Sequence, residues 1–433
     1  MKPELIYRYI ERFFVVALLL QNMGIATTIF YPNMGEGDLN AAAGELHGPI
    51  ALTQAAIYGL GGVFVLIRWK RILGTLGVIW PLTLFVMLAP ISAAWSIDPL
   101  LTLRRSVLLL AMFFVAVYLG ERYSIAQMAN LLAKTFCLTI AATLVLFAVA
   151  HGRVIDPAHA PAWKGLFSSK NLLGFYMTMA FIVLLLVRFK RHKWIRILFL
   201  FATFGLMLIS RSMTSVATGC ITLAIAPFWL LMRSKLQIRI PALAASVAAI
   251  GGSIAIFFNP LSALFLRLLG KDATLTGRTE VWKAIAIAIQ HRPLLGYGYE
   301  CFWLGLRGES LKVIVVSGWL VPHAHNGYLE LLLAFGFLGA AVFVFVIFRL
   351  IAIGIHYLRE EKQPIGLWPL AFLTFMLLHN LGESDLMTNT STLTMLLFFA
   401  LYTSLALDAR RARMPVRLPV ALPAAPARPL AVA

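Results

Sequence analysis

The feature that most limits what this chain can fold into is the recurrence of long apolar runs. About twelve of them, some 17–25 residues each, lie at roughly 13–31, 50–67, 76–95, 104–120, 132–150, 171–187, 195–210, 213–232, 241–258, 327–348, 365–381 and 391–407. A helix of about 20 apolar residues is long enough to cross the hydrocarbon of a bilayer. None of the runs shows the short alternating pattern of a transmembrane barrel strand. Hydrophobic residues make up 61% of the 433, charged residues only 13%, and the mean hydropathy is +0.86, a balance that excludes an ordinary soluble domain. The expected fold is therefore an all-α polytopic membrane protein of about twelve transmembrane helices. Residues 1–408 are expected to form a single transmembrane domain, and 409–433, basic and rich in Pro and Ala, a disordered tail.

Positive charge then sets the orientation. An even number of spans puts both termini on one side. Most Lys and Arg fall in the links on that side, in Arg68–Arg71, Arg188–Arg196, Arg233–Arg239, Arg349–Lys362 and the tail. By the positive-inside rule both termini are cytoplasmic. The net charge of +19 is explained by this placement and by attraction to anionic membrane lipid, so no nucleic-acid partner is expected. The first run follows Arg8 and Arg12 as a signal sequence would, but no small-x-small cleavage site follows it, so it reads as a retained span. Cys137, Cys220 and Cys301 are far apart and give neither a disulfide framework nor metal-ligand spacing.

The opposite face holds the informative loops. The longest, about 259–326, is too long for a connector, and its stretches Leu261–Leu269 and Glu280–Ile289 fit short amphipathic helices. It reads as an ordered lid or cleft wall. It ends in a polar knot, His323, His325 and Asn326, directly before the tenth apolar run, and Glu330 follows about one turn further in. An ionisable group at such depth is rare without a reason. Two readings of the knot stand side by side: a helix cap with an interfacial anchor, or an imidazole presented to substrate at the membrane surface.

Arginines on the poorly charged side ask for a partner. Arg104 and Arg105 stand at the start of the fourth run, Arg211 lies in the turn Ser210-Arg211-Ser212, and Arg278 precedes Thr279-Glu280. A guanidinium fork suits phosphate oxygens and keeps its charge. The set, with His325, points to a diphosphate. Taken singly, each arginine is better accounted for by headgroups or by pairing with Glu383 and Asp385.

These residues resemble a known family. His325-Asn326, nine residues, then Gly336-Phe337-Leu338-Gly339 resembles the H-[NSQ]-x9-G-x-x-G signature of the O-antigen ligases. Gly277-Arg278, Trp282 and Pro293-Leu294-Leu295-Gly296-Tyr297-Gly298 resemble the loop segment before it. Phe167-Ser168-Ser169-Lys170-Asn171-Leu172-Leu173-Gly174 and the Ser210-Arg211-Ser212 turn also resemble family positions, so the likeness runs from about 165 to 390. O-antigen polymerases and protein O-oligosaccharyltransferases share much of this pattern. The resemblance implies a GT-C-like glycosyltransferase of the bacterial inner membrane with its active site facing the periplasm. Its donor would be O-antigen on undecaprenyl diphosphate and its acceptor lipid A-core oligosaccharide, with no cofactor and no metal. It maps the family's essential histidine onto His325, its arginines onto Arg278 and Arg211, and an acidic residue onto Asp385 or Glu383. Asn326, His323, Arg104, Arg105, Lys170, Asn171, Asp385 and Tyr328 are the expected substrate-binding residues.

The residue types suit that chemistry. A sugar hydroxyl needs a base, and two neighbouring guanidiniums would keep an imidazole neutral and able to accept a proton. Arginines placed on the leaving diphosphate would stabilise the charge that grows there. His323 reads as an orienter, although on a regular helix it would point away from His325. His379 and His291 read as structural, and Trp303, Trp319 and Tyr328 as members of the interfacial belt, with stacking on sugar as the alternative. A lipid-linked glycan transporter is the alternative of another class. It predicts broken, charged helices in matching halves, and the sequence shows no internal repeat.

Overall fold

A computed structural model describes residues 3–31, 48–157, 159–189, 193–234, 278–387 and 392–413. The ninth run (241–258), the stretch Leu261–Leu269, Gly277 and most of the tail lie outside them. The described residues are almost entirely helical: α1 (Pro3–Asn22), α2 (Ile25–Phe30), α3 (Gly48–Ile67), α4 (Trp69–Leu76), α5 (Trp80–Ile91), α6 (Pro99–Arg122), α7 (Ile125–Val149), α8 (His151–Val154), α9 (Lys170–Leu186), α10 (Lys193–Ile209), α11 (Met213–Leu231), α12 (Arg278–His291), α13 (Gly308–Ser317), α14 (Gly327–Glu360), α15 (Trp368–His379) and α16 (Thr392–Arg413).

A helix thus stands at every described apolar run, but their lengths differ from the expected twelve full spans. Six of these helices, or seven counting one bent pair, are long and apolar enough to cross a membrane; α9 and α15 are shorter. The bent pair is α4 with α5 and its short 3-10 extension, turned by 97°. The first run is likewise interrupted, between α1 and α2. Helix α16 lies at the centre, 83% of its apolar window being buried, whereas α3, at 17%, lies at the periphery. The last helix runs on to Arg413, past the boundary expected at 408.

Local chemistry sets the ends. Asp98 caps α6 by accepting from Leu101 N, with Pro99 at the first position. Because α6 begins at Pro99, Arg104 and Arg105 sit in its second turn and not at its start. Ser124 and Gln127 form a capping box on α7, and Ser169 caps α9. Helix α1 starts ten residues before its apolar run because Glu11 is not a surface charge there. Its carboxylate, 1% exposed, accepts from Arg122 Nε at 2.7 Å and Nη2 at 3.0 Å, and from the Tyr118 hydroxyl. Removing the cation would strand a buried carboxylate. Arg122→Met is therefore expected to destabilise the fold by on the order of 3 kcal/mol, seen as a lowered thermal midpoint in detergent.

Residues 278–326 form an ordered cap with a small core of its own. Val281, Ile285, Ala288 and Ile289 of α12 pack with Tyr297, Phe302, Val313, Val321, Ala324 and Leu333. The expected helix over 280–289 is thus present, as α12. Residues 293–298 of the cap join α14 at a break. Gly336 there has φ 59° and ψ −161°, outside helical space. Around it Tyr297 N donates to Leu333 O (2.7 Å) and Gly298 N to Ala334 O (3.1 Å). Phe337 N donates to Pro293 O (2.8 Å) and Leu338 N to Leu294 O (3.1 Å). Backbone groups freed by a break inside an apolar helix must find partners in protein, and these four bonds supply them. The G-x-x-G of the signature thus marks the junction where the cap plugs into a membrane helix.

Candidate active site at the cap–bundle junction

The strand of loop from Val321 to Asn326 descends from the cap to α14. His325 occupies the left-handed region, φ 49°, which a non-glycine residue adopts only when its surroundings impose it. Asn326 caps α14, its Oδ1 accepting from Tyr328 N (3.0 Å) and Leu329 N (3.2 Å), while its Nδ2 donates to Leu381 O. Its side chain is thus occupied by the cap, as the first reading of the knot had it. Tyr328 is likewise committed, its hydroxyl donating to Leu377 O at 2.7 Å.

The partner of His325 is a carboxylate. Its Nδ1 lies 3.5 Å from Glu383 Oε2, ion-pair distance outside hydrogen-bond geometry. Glu383, 7% exposed, is held in turn by Arg278 Nη2 at 3.2 Å, and Arg278 Nη1 donates to Gly382 O. Burial works to raise the Glu383 carboxyl, but His325 and Arg278 outweigh it and pull it down to about 2. The imidazole's immediate neighbour is therefore an anion backed by Arg278, and not two arginines alone.

His323 stands beside it, the ring centroids 4.0 Å apart, and its Nδ1 accepts from His325 N at 3.2 Å. Helical geometry would have separated the two rings; here they belong to an irregular loop and meet. Desolvation, reinforced by His325 and Arg278 and opposed by Glu383, holds the His323 imidazole down to about 3. It stays neutral and free to accept. Both shifts are depressions, so on acidification the unfolded chain takes up these protons first and stability falls. His323 acts between its ordinary value near 6.5 and about 3, and Glu383 between 4.5 and about 2. The thermal midpoint is expected to drop from pH 7 to pH 5, and less steeply in His323→Asn.

Asp385 lies elsewhere. Its Oδ2 is 2.6 Å from His379 Nδ1, in a buried pair packed by Phe175 and Phe375. Of the two acidic positions, Glu383 is the one at the histidine. Arg211, exposed and with φ 52°, sits in its tight turn before α11. That end of α11 faces the cluster: a β-carbon at Gly382 would stand 3.1 Å from Thr214 and 3.8 Å from Arg278 Nη1. Lys170 and Asn171 open α9, whose Gly174 packs against Ser210, Ser212 and Ser215 on the same side. Arg105 is engaged away from this cluster, by the Glu300 backbone carbonyl and by its carboxylate at 4.0 Å. Arg104 is exposed beside it. Among the described residues no group of three His, Cys, Asp or Glu side chains stands in metal-ligating arrangement.

Fold and site together define a multi-pass helical membrane protein whose polar cluster lies where an extramembrane cap meets the bundle. Residues 197–344 match the O-antigen ligase family model, a stretch holding Arg211, Arg278, His323, His325 and the G-x-x-G. The chain is also 26% identical over 387 residues to the exopolysaccharide production protein ExoQ of Rhizobium meliloti (strain 1021), covering 86% of this chain and 87% of that protein. The resemblance carried by the histidine signature is borne out: the stretch that holds the signature matches the O-antigen ligase family model.

Proposed function

We propose that the chain is a glycosyltransferase of GT-C-like type that moves a glycan from undecaprenyl diphosphate to a sugar hydroxyl of lipid A-core at the periplasmic face of the inner membrane. The observation that carries the chemistry is the cluster His325, Glu383 and Arg278. With Nδ1 turned to Glu383, His325 has Nε2 left for the acceptor. The acceptor oxygen bonds to the anomeric carbon as the bond from that carbon to the diphosphate oxygen breaks. The proton passes to Nε2, and the electron pair leaves with the diphosphate. Glu383 steadies the imidazolium that forms, as a carboxylate behind a catalytic histidine does. Arg211, with the remaining donors of Arg278, takes the charge growing on the diphosphate. Lys170 and Asn171 extend that surface. Direct attack inverts the anomeric centre, and a product of retained configuration would exclude this route.

A second reading, polymerisation with a growing glycan as acceptor, is favoured by one observation: the relative that spans most of the chain is named for exopolysaccharide production. The test is purified protein in bilayer discs with polyprenyl-diphosphate-linked glycan, offered lipid A-core or further lipid-linked glycan. Conjugates with lipid A-core establish ligation. Lengthening of the lipid-linked glycan with the core untouched establishes polymerisation. Inertness toward both acceptors refutes glycan transfer.

A further inference from the structure

Glu330 was the one acidic group near the knot without an assigned task. Its carboxylate accepts from Trp303 Nε1 at 2.9 and 3.0 Å and from the backbone N–H of Ala324. Ala324 is the residue before His325. Its carbonyl is held as well, by Trp282 Nε1 at 2.8 Å. The peptide units around His325 can be counted one by one. The N–H of 323–324 goes to Glu330. The carbonyl of 324–325 goes to Trp282, and its N–H to His323 Nδ1 at 3.2 Å. The N–H of 325–326 goes to Ser384 Oγ at 3.0 Å. No regular structure holds this segment; side chains from three separate elements do. A left-handed φ at a histidine costs free energy and persists only where neighbours over-determine it. Within this set only Glu330 brings a carboxylate, which accepts more strongly than a neutral group and is itself fixed by two indole contacts.

We propose that Glu330 is a positioning residue for His325: through Ala324 it fixes the peptide that aims the imidazole at the acceptor. Trp282 is its counterpart on the opposite edge of the same residue. The proposal rests on His325 being the base. It also gives Trp282 and Trp303 a role as hydrogen-bond donors within the protein, for Trp303 in place of the expected membrane belt.

Glu330→Gln tests it. Glu330 Oε1 receives both the Ala324 and the Trp303 N–H, so a glutamine that keeps its oxygen there sets its amide nitrogen, a donor, against the same indole N–H at the Oε2 position, 3.0 Å away. The glutamine enzyme is expected to lose about 10–100-fold in kcat with donor KM within about two-fold, since a misaimed base weakens the transition state and spares ground-state binding. Backbone hydrogen exchange over 321–326 should quicken while α6 and α16 keep native protection. Should Glu330→Gln fail to accumulate, Trp282→Phe loosens Ala324 from the other side and is expected to show the same split. A kcat within two-fold of wild type in the folded variant overturns the proposal, whatever the exchange shows. Full activity in His325→Ala would instead refute the catalytic reading and with it any task in aiming the ring. Exchange over 321–326, which needs no chemistry, would still report whether the clamp exists.

Discussion

Replacing His325 by alanine is expected to lower glycan transfer about 10²–10⁴-fold while leaving the protein folded, the loss of one positioned base. The measurement is lipopolysaccharide on a gel from a strain lacking its own ligase, complemented with wild type or variant at equal expression. The wild type should restore the long-chain ladder and His325→Ala should not. The structure sharpens the expectation. Asn326 alone supplies the cap of α14, so the alanine leaves the helix start intact. Nδ1 of His325 makes no hydrogen bond, and without the ring Glu383 keeps its pairing with Arg278, so the fold survives the loss. A ladder restored by the variant would reduce the histidine to a bystander and remove the chemical argument for the cluster.

The second large effect concerns stability. Gly336→Ala is expected to cost about 3 kcal/mol or more, the sum of a backbone region reserved to glycine and an overpacked contact. A β-carbon there would stand within 2.5 Å of the Pro293 carbonyl oxygen and overlap the Leu294 carbonyl. Both atoms are backbone held by the four bonds across the break, so neither can yield. Against a typical total of about 5–15 kcal/mol, such a loss should show as a much lowered thermal midpoint and poor recovery from the membrane. Gly205→Ala, in α10 with nothing within 4 Å of the new methyl, serves as the neutral control. A native midpoint for Gly336→Ala would mean that the break does not require glycine.

Much of the helical order was legible because apolar runs report burial in lipid directly. What was not legible came from pairings across the chain. Arg8 and Arg12 made the start of α1 look like a charged leader, since Arg122, the partner of Glu11 beside them, lies far away in sequence. Gly336 stood out only as part of the signature, and nothing in an apolar run tells a glycine at a break from one that serves helix packing. Glu383 and Asp385 are two residues apart and chemically alike. Only the fold separates the one facing His325 from the one bound to His379. The arginines were readable as a set on one face with Glu383 and Asp385 as possible partners, and Arg278 proved to hold Glu383. Trp282 and Trp303 carried a signal that was open to reading: a buried indole needs an acceptor, and acceptors stood in the histidine loop.

The four hydrogen bonds across the break in α14 settle how far the cap can move. Residues 293–298 complete the ladder of a membrane helix, so lifting them would expose unpaired amides and carbonyls in an apolar interior, at several kcal/mol for each group. A hinge cannot be placed there. Of the two descriptions open to the long loop, this part is wall and not lid. On the proposed function, a lipid-borne glycan must therefore enter past segments whose backbone is not spent on a neighbour's helix, and a crosslink between residues 293–298 and α14 should leave turnover intact.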